Sequence, residues 1–364
     1  MDVRQVPRRE PVAEPEQHEP MRALPWKTAA RVATVGIFFL LFCAVLELAQ
    51  TILLPVVSGL VIGTMLGPLV TLGSRLRMPQ WLSATLVTTA FVAFIAITVT
   101  LLSAPIVEWV GRAPDIGNII REKFQVFERP LAALNELRAA IMPKGAPGVL
   151  QVDVGPSIVA PALTILTPAV GELIVFFGTL FFYLMGRDTL RRSVVQFFGD
   201  RDLRLRVLRI FNDVERNLTD YLSLVTVINV VVGIGATIIA FVAGLPNAIV
   251  FGLIAFLLNY IPYIGPLIMN VVFFAIGMVT FPTLAQALIA PACFITMTTL
   301  EGHFITPAIM GRRLTLNPLN VFLALAFWTW LWGPVGAFLA VPLLITALVV
   351  FKHLSPKAEI SLPA

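Results

Sequence analysis

The sequence predicts an all-α, polytopic helical membrane protein, and three observations carry that prediction. Hydrophobic residues make up 58% of the 364 and charged residues 13%, with a mean hydropathy of +0.89, far from the balance of a soluble domain. The apolar residues lie in runs long enough to supply the roughly 20 helical residues that cross about 30 Å of hydrocarbon. The runs do not alternate polar with apolar, which excludes a β-barrel. Read along the chain, they give about 7–8 transmembrane helices, re-entrant hairpins and two amphipathic helical segments.

Residues 1–28 are polar, Pro-rich and mixed in charge, as expected of a disordered cytoplasmic tail. The apolar run that follows is too long for the core of a signal peptide. Residues 29–108 hold three spans. The run Val32–Leu72 is about twice a span, so it divides near Gln50, Thr51 and Pro55, and Trp81–Val107 follows. Arginines flank the first pair on both sides, at Arg22 and Arg31 before it and Arg75 and Arg77 after it. By the positive-inside rule both flanks are cytoplasmic.

Residues 109–165 differ in kind. Ile116, Ile120, Phe124, Phe127, Leu131, Leu134, Leu137 and Ile141 recur at steps of three and four between charged residues. This pattern predicts an extracytoplasmic amphipathic helix, closed by the Pro143–Gly148 loop. A fourth span over 166–186 returns to 187–221, an arginine-rich cytoplasmic segment with its own apolar stripe. Residues 222–351 form a core with broken helices, and 352–364 a cytoplasmic tail. Within that core the last apolar run, Leu319–Phe351, is bracketed by basic residues and turns back at Trp332-Gly333-Pro334. Both cysteines, Cys43 and Cys293, lie in apolar runs, so no disulfide is expected.

The most informative segment is Asn259-Tyr260-Ile261-Pro262-Tyr263-Ile264-Gly265-Pro266, in the middle of an otherwise apolar stretch. Each proline removes a backbone donor and clashes with the preceding turn. Broken backbone at membrane depth is tolerated where it is buried in protein or lines a watery cavity. Half-helix ends beside such a cavity form the recurrent binding geometry of secondary transporters. Asn259, Tyr260, Pro262, Tyr263, Gly265 and Pro266, with Asn229 in the preceding span, are therefore the candidate substrate pathway. The alternative is that these polar groups tie helices together, at about 0.6–2 kcal/mol per bond.

A second break follows at Glu301, His303, Thr306 and Pro307. An ionisable group inside the bilayer costs about 2.5–3.5 kcal/mol on insertion scales. Glu301, His303 and Pro307 are thus candidates for a gate or a proton-coupling pair, His303 being the side chain type that titrates near neutrality. The competing placement is the membrane interface, where solvation costs little. Enzymatic chemistry has no motif here. The chain lacks a Walker phosphate loop, and His18, His303 and His353 have no metal-ligand spacing. No enzyme, cofactor or metal is expected. The net charge of +5 needs no nucleic-acid partner, because the arginines flank spans.

Two blocks carry a family resemblance. The first is Gly244-Leu245-Pro246-Asn247 with Gly252 and the Asn259–Pro266 octapeptide. The second runs from Glu301, Thr306-Pro307, Met310-Gly311-Arg312 and Asn317-Pro318 to Gly333-Pro334-Val335-Gly336 and Val341-Pro342. Together they resemble the AI-2E family of autoinducer-2 exporter-like transporters, formerly grouped as permease-like proteins. At Leu224-Val225 the chain departs from the Gly-Gln pair of many members. The resemblance implies a bacterial inner-membrane transporter with seven or eight spans and re-entrant elements, forming homo-oligomers. It also implies export of a small polar or amphiphilic solute, an autoinducer-2-like signal included. Two alternatives stand beside that reading: a monovalent cation/proton antiporter, and a non-transporting membrane scaffold. The partners expected are the lipid bilayer, a small-molecule or ion substrate and further copies of the chain.

Overall fold

The computed structural model describes residues 26–139, 159–197, 199–306 and 316–354. Among these residues the regular structure is helical throughout. The first compact unit, residues 1–49, contributes α1 (Trp26–Leu48). The second unit, residues 50–364, contains α2 (Gln50–Arg75), α3 (Gln80–Ala139), α4 (Val159–Phe197) and α5 (Arg201–Ala243). It continues with α6 (Ala248–Leu258), α7 (Ile264–Thr280), α8 (Leu284–Leu300) and α9 (Pro318–Leu354). Among the described residues seven helices are long and apolar enough to cross a membrane. The protein is an all-α polytopic membrane protein.

The division of the first long apolar run falls at Ala49, beside Gln50 and Thr51, whereas Pro55 lies inside α2. The third span and the periodic segment after it share one continuous helix, α3, of 60 residues. Pro130 and the charged residues between do not interrupt that backbone. The second arginine-rich segment is divided: Arg187, Arg191 and Arg192 end α4, and Arg201 opens α5. Residues 1–25 and 355–364, the whole Pro143–Gly148 loop and Pro307 lie outside the described residues.

Within the second unit, α2 packs mainly on α4, α5 on α6 and α7 on α8. α5 shows how the sequence sorts lipid from protein. Val227, Val230, Ile234, Ile238 and Phe241 are exposed along one apolar face, while Ile228, Val232, Ala236 and Ala240 are buried on the other. An amphipathic helix of a soluble domain would be polar on the first face; here both faces are apolar, as a bilayer requires. Small residues let the buried face approach α6 closely. A Cβ on Gly233 would lie 2.9 Å from the Gly252 carbonyl, and one on Gly252 would collide with Thr237 and the Gly233 carbonyl.

Two apolar clusters hold the unit. One joins α2, α3 and α4 through Leu66, Val70, Ala84, Val87, Leu180 and Leu184. The other is built on a run of aromatic rings: Phe251 stacks on Phe273 at 4.9 Å, and Phe273 meets Phe294 at 5.2 Å. It links α5, α6, α7 and α8.

Helix ends are set by ordinary local chemistry. Asp200 caps α5 by accepting from the Asp202 N–H, and Gly244, at φ 80°, closes it. That left-handed conformation suits glycine. Thr283 caps α8. α6 has 11 residues, about 16 Å of helix at 1.5 Å per residue, roughly half of a hydrocarbon core. α9 leaves helical geometry at Trp332 (φ −126°, ψ 15°) and Gly333 (φ 62°, ψ −147°). The chain doubles back there: a Cβ on Gly336 would collide with the Trp328 carbonyl. Residues eight apart in a straight helix stand about 12 Å apart along its axis. The sequence places this turn at the same three residues, Trp332 to Pro334. Near its end α9 is tied to α5 by His353 Nε2 and Asp213 Oδ2, 3.2 Å apart.

Candidate functional site

The octapeptide forms the connection between α6 and α7. The Asn259 N–H still bonds the Ala255 carbonyl at 3.0 Å, and the chain then tightens, with Ile261 N–H donating to Leu258 O at 2.9 Å. Pro262 has no N–H to continue the ladder. Tyr263 takes φ 64°, an uncommon conformation for a residue with a side chain, and α7 starts at the next residue. Pro266 sits in the first turn of α7, where a missing donor costs nothing.

The second break extends α8. Glu301–Ile305 form a π-helical turn in which the Thr306 N–H reaches the Glu301 carbonyl. Such turns carry one residue more per hydrogen-bonded ring than α-helix and occur often at functional sites. The Thr306 hydroxyl also donates to the Glu301 carboxylate. His303 Nδ1 lies 2.9 Å from the Thr299 carbonyl. A carbonyl only accepts, so Nδ1 carries the proton in that bond, and a neutral His303 presents Nε2 as an acceptor.

The two breaks face one cavity of about 660 Å³. Asn229, Asn259, Pro262, Tyr263 and Pro266 line it together with Glu301, His303 and Thr306. Asn259 Nδ2 donates to Asn229 Oδ1 at 2.8 Å. Asn229 is 1% exposed, and its own Nδ2 is buried without a protein partner. Among the described residues no arginine or lysine lines this space. The wall thus offers amide, hydroxyl, carboxylate and imidazole groups, which suit hydrogen bonding to an uncharged polar solute better than neutralising an anion.

Two sequence-selected residues stand off this cavity. The Tyr260 hydroxyl donates to Thr226 Oγ1 at 2.9 Å, and its ring packs on Phe256 and Phe338. Gly265 is buried where a Cβ would collide with the Leu258 carbonyl, so its role is to let α7 pass the end of α6. Asn270 bonds the Pro266 carbonyl of its own helix at 2.9 Å.

The cavity also takes residues that sequence reasoning missed as lining: Tyr221, Val225, Thr298 and Thr299. Tyr221 and Val225 precede Asn229 at intervals of four, on the same face of α5. That spacing is the signal that could have found them. The π turn has no comparable signature in its five residues.

Fold and cavity together define a class: a polytopic membrane protein with a polar cavity between two broken helices. Residues 37–355 match the AI-2E family transporter pattern, and the chain belongs to that family. It is 28% identical over 328 residues to the AI-2 transport protein TqsA of Escherichia coli (strain K12), covering 88% of this chain and 91% of that one. It is 24% identical over 319 residues to YhhT of the same strain, a transport-protein candidate, covering 88% and 89%. YrrI of Bacillus subtilis (strain 168), another transport-protein candidate, is 33% identical over 174 residues, 48% of this chain and 49% of YrrI.

Proposed function

We propose that the protein is a secondary transporter that exports a small, uncharged polar or amphiphilic solute across the bacterial inner membrane. The observation that carries this reading is the cavity of about 660 Å³ between the two helix breaks, lined by Asn229 and Asn259 on one wall and Glu301 and His303 on the other. Family membership supports transport as the activity. The AI-2 transport function named for TqsA makes autoinducer-2 and similar polyhydroxylated molecules the first solutes to try.

Solute oxygens would accept from Asn229 Nδ2 and donate to the carboxylate of Glu301. Glu301 and His303 are the groups through which flux would respond to protons. Both termini lie in the cytoplasm in this reading, which rests on the arginines flanking the spans. The family resemblance supports assembly into homo-oligomers, to be checked by the mass of the detergent-solubilised particle.

The direct test is flux of autoinducer-2 and other polyols into everted membrane vesicles. Accumulation above that of vesicles lacking the protein supports export. No flux of any neutral solute, with sodium or potassium exchange against protons instead, would replace this reading with the antiporter.

A further inference from the structure

The arginines that end α4 and run into α5 are not explained by the transport cavity. Orientation in the membrane accounts for their number but not for their placement. Arg187, Arg191 and Arg216 converge on a second cavity of about 380 Å³, bounded on the α2 side by Pro68 and Thr71. Pro68 and Thr71 lie in the last part of the span Gln50–Gly73, and Arg187 is the final residue of the span Val170–Arg187. The cavity therefore sits where hydrocarbon gives way to headgroups.

Its electrostatics leave cationic capacity unused. Arg187 meets Glu215 at only 3.8 Å, and Asp220 also lines the space. Among the described lining residues three guanidiniums stand against two carboxylates. Among the described residues neither Arg191 nor Arg216 has an acidic partner within ion-pair distance. Arg187 is seated by the absence of a side chain opposite it: a Cβ on Gly67 would lie 2.7 Å from its Nη1. Asn212, on the same wall, has a buried amide oxygen without a partner, and a half-turn of that amide presents a donor instead.

The same stretch of α2 also borders apolar space. Leu69 and Leu72, next in sequence to Pro68 and Thr71, line a groove of about 430 Å³ between α2 and α3. Both leucines are exposed. A guanidinium cluster at the end of a span, with exposed leucines on the same helix, matches a molecule that is anionic at one end and apolar along its length. Planar guanidinium forks suit phosphate oxygens, and basic pockets between helices at this level take anionic headgroups.

We infer that the cavity of Arg187, Arg191 and Arg216 binds the phosphate of an anionic phospholipid, with an acyl chain along the Leu69–Leu72 groove. The test is native mass spectrometry of the full chain in detergent, titrated with phosphatidylglycerol, phosphatidylcholine and inorganic phosphate. Phosphatidylglycerol is expected to be retained over phosphatidylcholine, and the double variant Arg191→Gln/Arg216→Gln to lose roughly tenfold or more in that affinity. Arg201→Gln/Arg206→Gln removes equal charge outside the cavity and should change little. Where the first double variant fails to fold, Arg216→Gln alone, at an exposed side chain, gives the same reading with a smaller loss. Equal loss in both double variants would reduce the effect to diffuse charge and overturn the site. Equal retention of the two lipids would do the same. Displacement of phosphatidylglycerol by millimolar inorganic phosphate would reassign the site to a soluble anion.

Discussion

Asn259 Nδ2 donates to Asn229 Oδ1 across 2.8 Å, joining the end of α6 to the middle of α5 at the wall of the larger cavity. The bond occupies the Asn229 carbonyl and leaves its amide nitrogen buried and unpartnered. An unsatisfied buried donor costs about 1–3 kcal/mol. A solute oxygen that reached this nitrogen would remove that cost; the Asn229–Asn259 bond itself is a helix tie.

Asn259→Ala and Pro262→Ala are each expected to lower vesicle flux at least about tenfold, equivalent to about 1.4 kcal/mol of lost stabilisation, while the protein still inserts. The first removes the tie that orients Asn229; the second restores a backbone donor and relaxes the break. Flux normalised to membrane-inserted protein is the measurement. Full activity in both variants would sink the assignment of the pathway.

Tyr260→Phe should behave differently. It deletes the hydroxyl that donates to Thr226 but keeps the ring against Phe256 and Phe338. Flux should stay within about twofold of the native level, with stability falling by the roughly 0.6–2 kcal/mol of an interhelical bond in a membrane. A transport defect as large as that of Asn259→Ala would put Tyr260 in the pathway after all.

Glu301→Gln keeps a side chain that can accept from the Thr306 hydroxyl but cannot titrate. The pH dependence of flux between about pH 5 and 8 is expected to flatten. Measurement of flux across that range, at fixed solute gradient, decides it. An unchanged profile would exclude Glu301 from proton coupling.

One substitution at two glycines should give opposite signs. Gly252→Ala places a methyl against Thr237 and the Gly233 carbonyl and should cost about 1–3 kcal/mol through overpacking. Gly178→Ala, in α4, meets nothing within 4 Å and should be neutral or stabilise by up to about 1 kcal/mol. Thermal melting in detergent separates them.

Much of this molecule was legible because a bilayer imposes simple rules. Span length, the divided first run and the turn at Trp332–Gly333 follow from run lengths and from breakers such as Gly333 and Pro334. So does the shortness of α6. The octapeptide was legible as a break because Pro262 and Pro266 announce themselves locally. What was not legible depends on helix phase and tertiary approach. Tyr260 and Asn259 are neighbours in sequence, yet one side chain turns to Thr226 and the other to the cavity. Gly265 looked like part of a binding loop and instead lets two backbones pass. The continuity of α3 through Ala139 was hidden by the change from apolar to amphipathic pattern, which alters the surroundings of a helix without interrupting its hydrogen bonds.

The Glu301–Ile305 turn departs from α-helical pairing. The Thr306 N–H is paired with the carbonyl of Glu301; pairing one residue later, with Gly302, would restore α geometry. Each residue of an α-helix advances the side chains by about 100°, so the wider ring offsets the helical phase of the turn from that of α8. The cavity thus has one wall braced by the Asn229–Asn259 bond and one wall set on a turn outside the α-helical register.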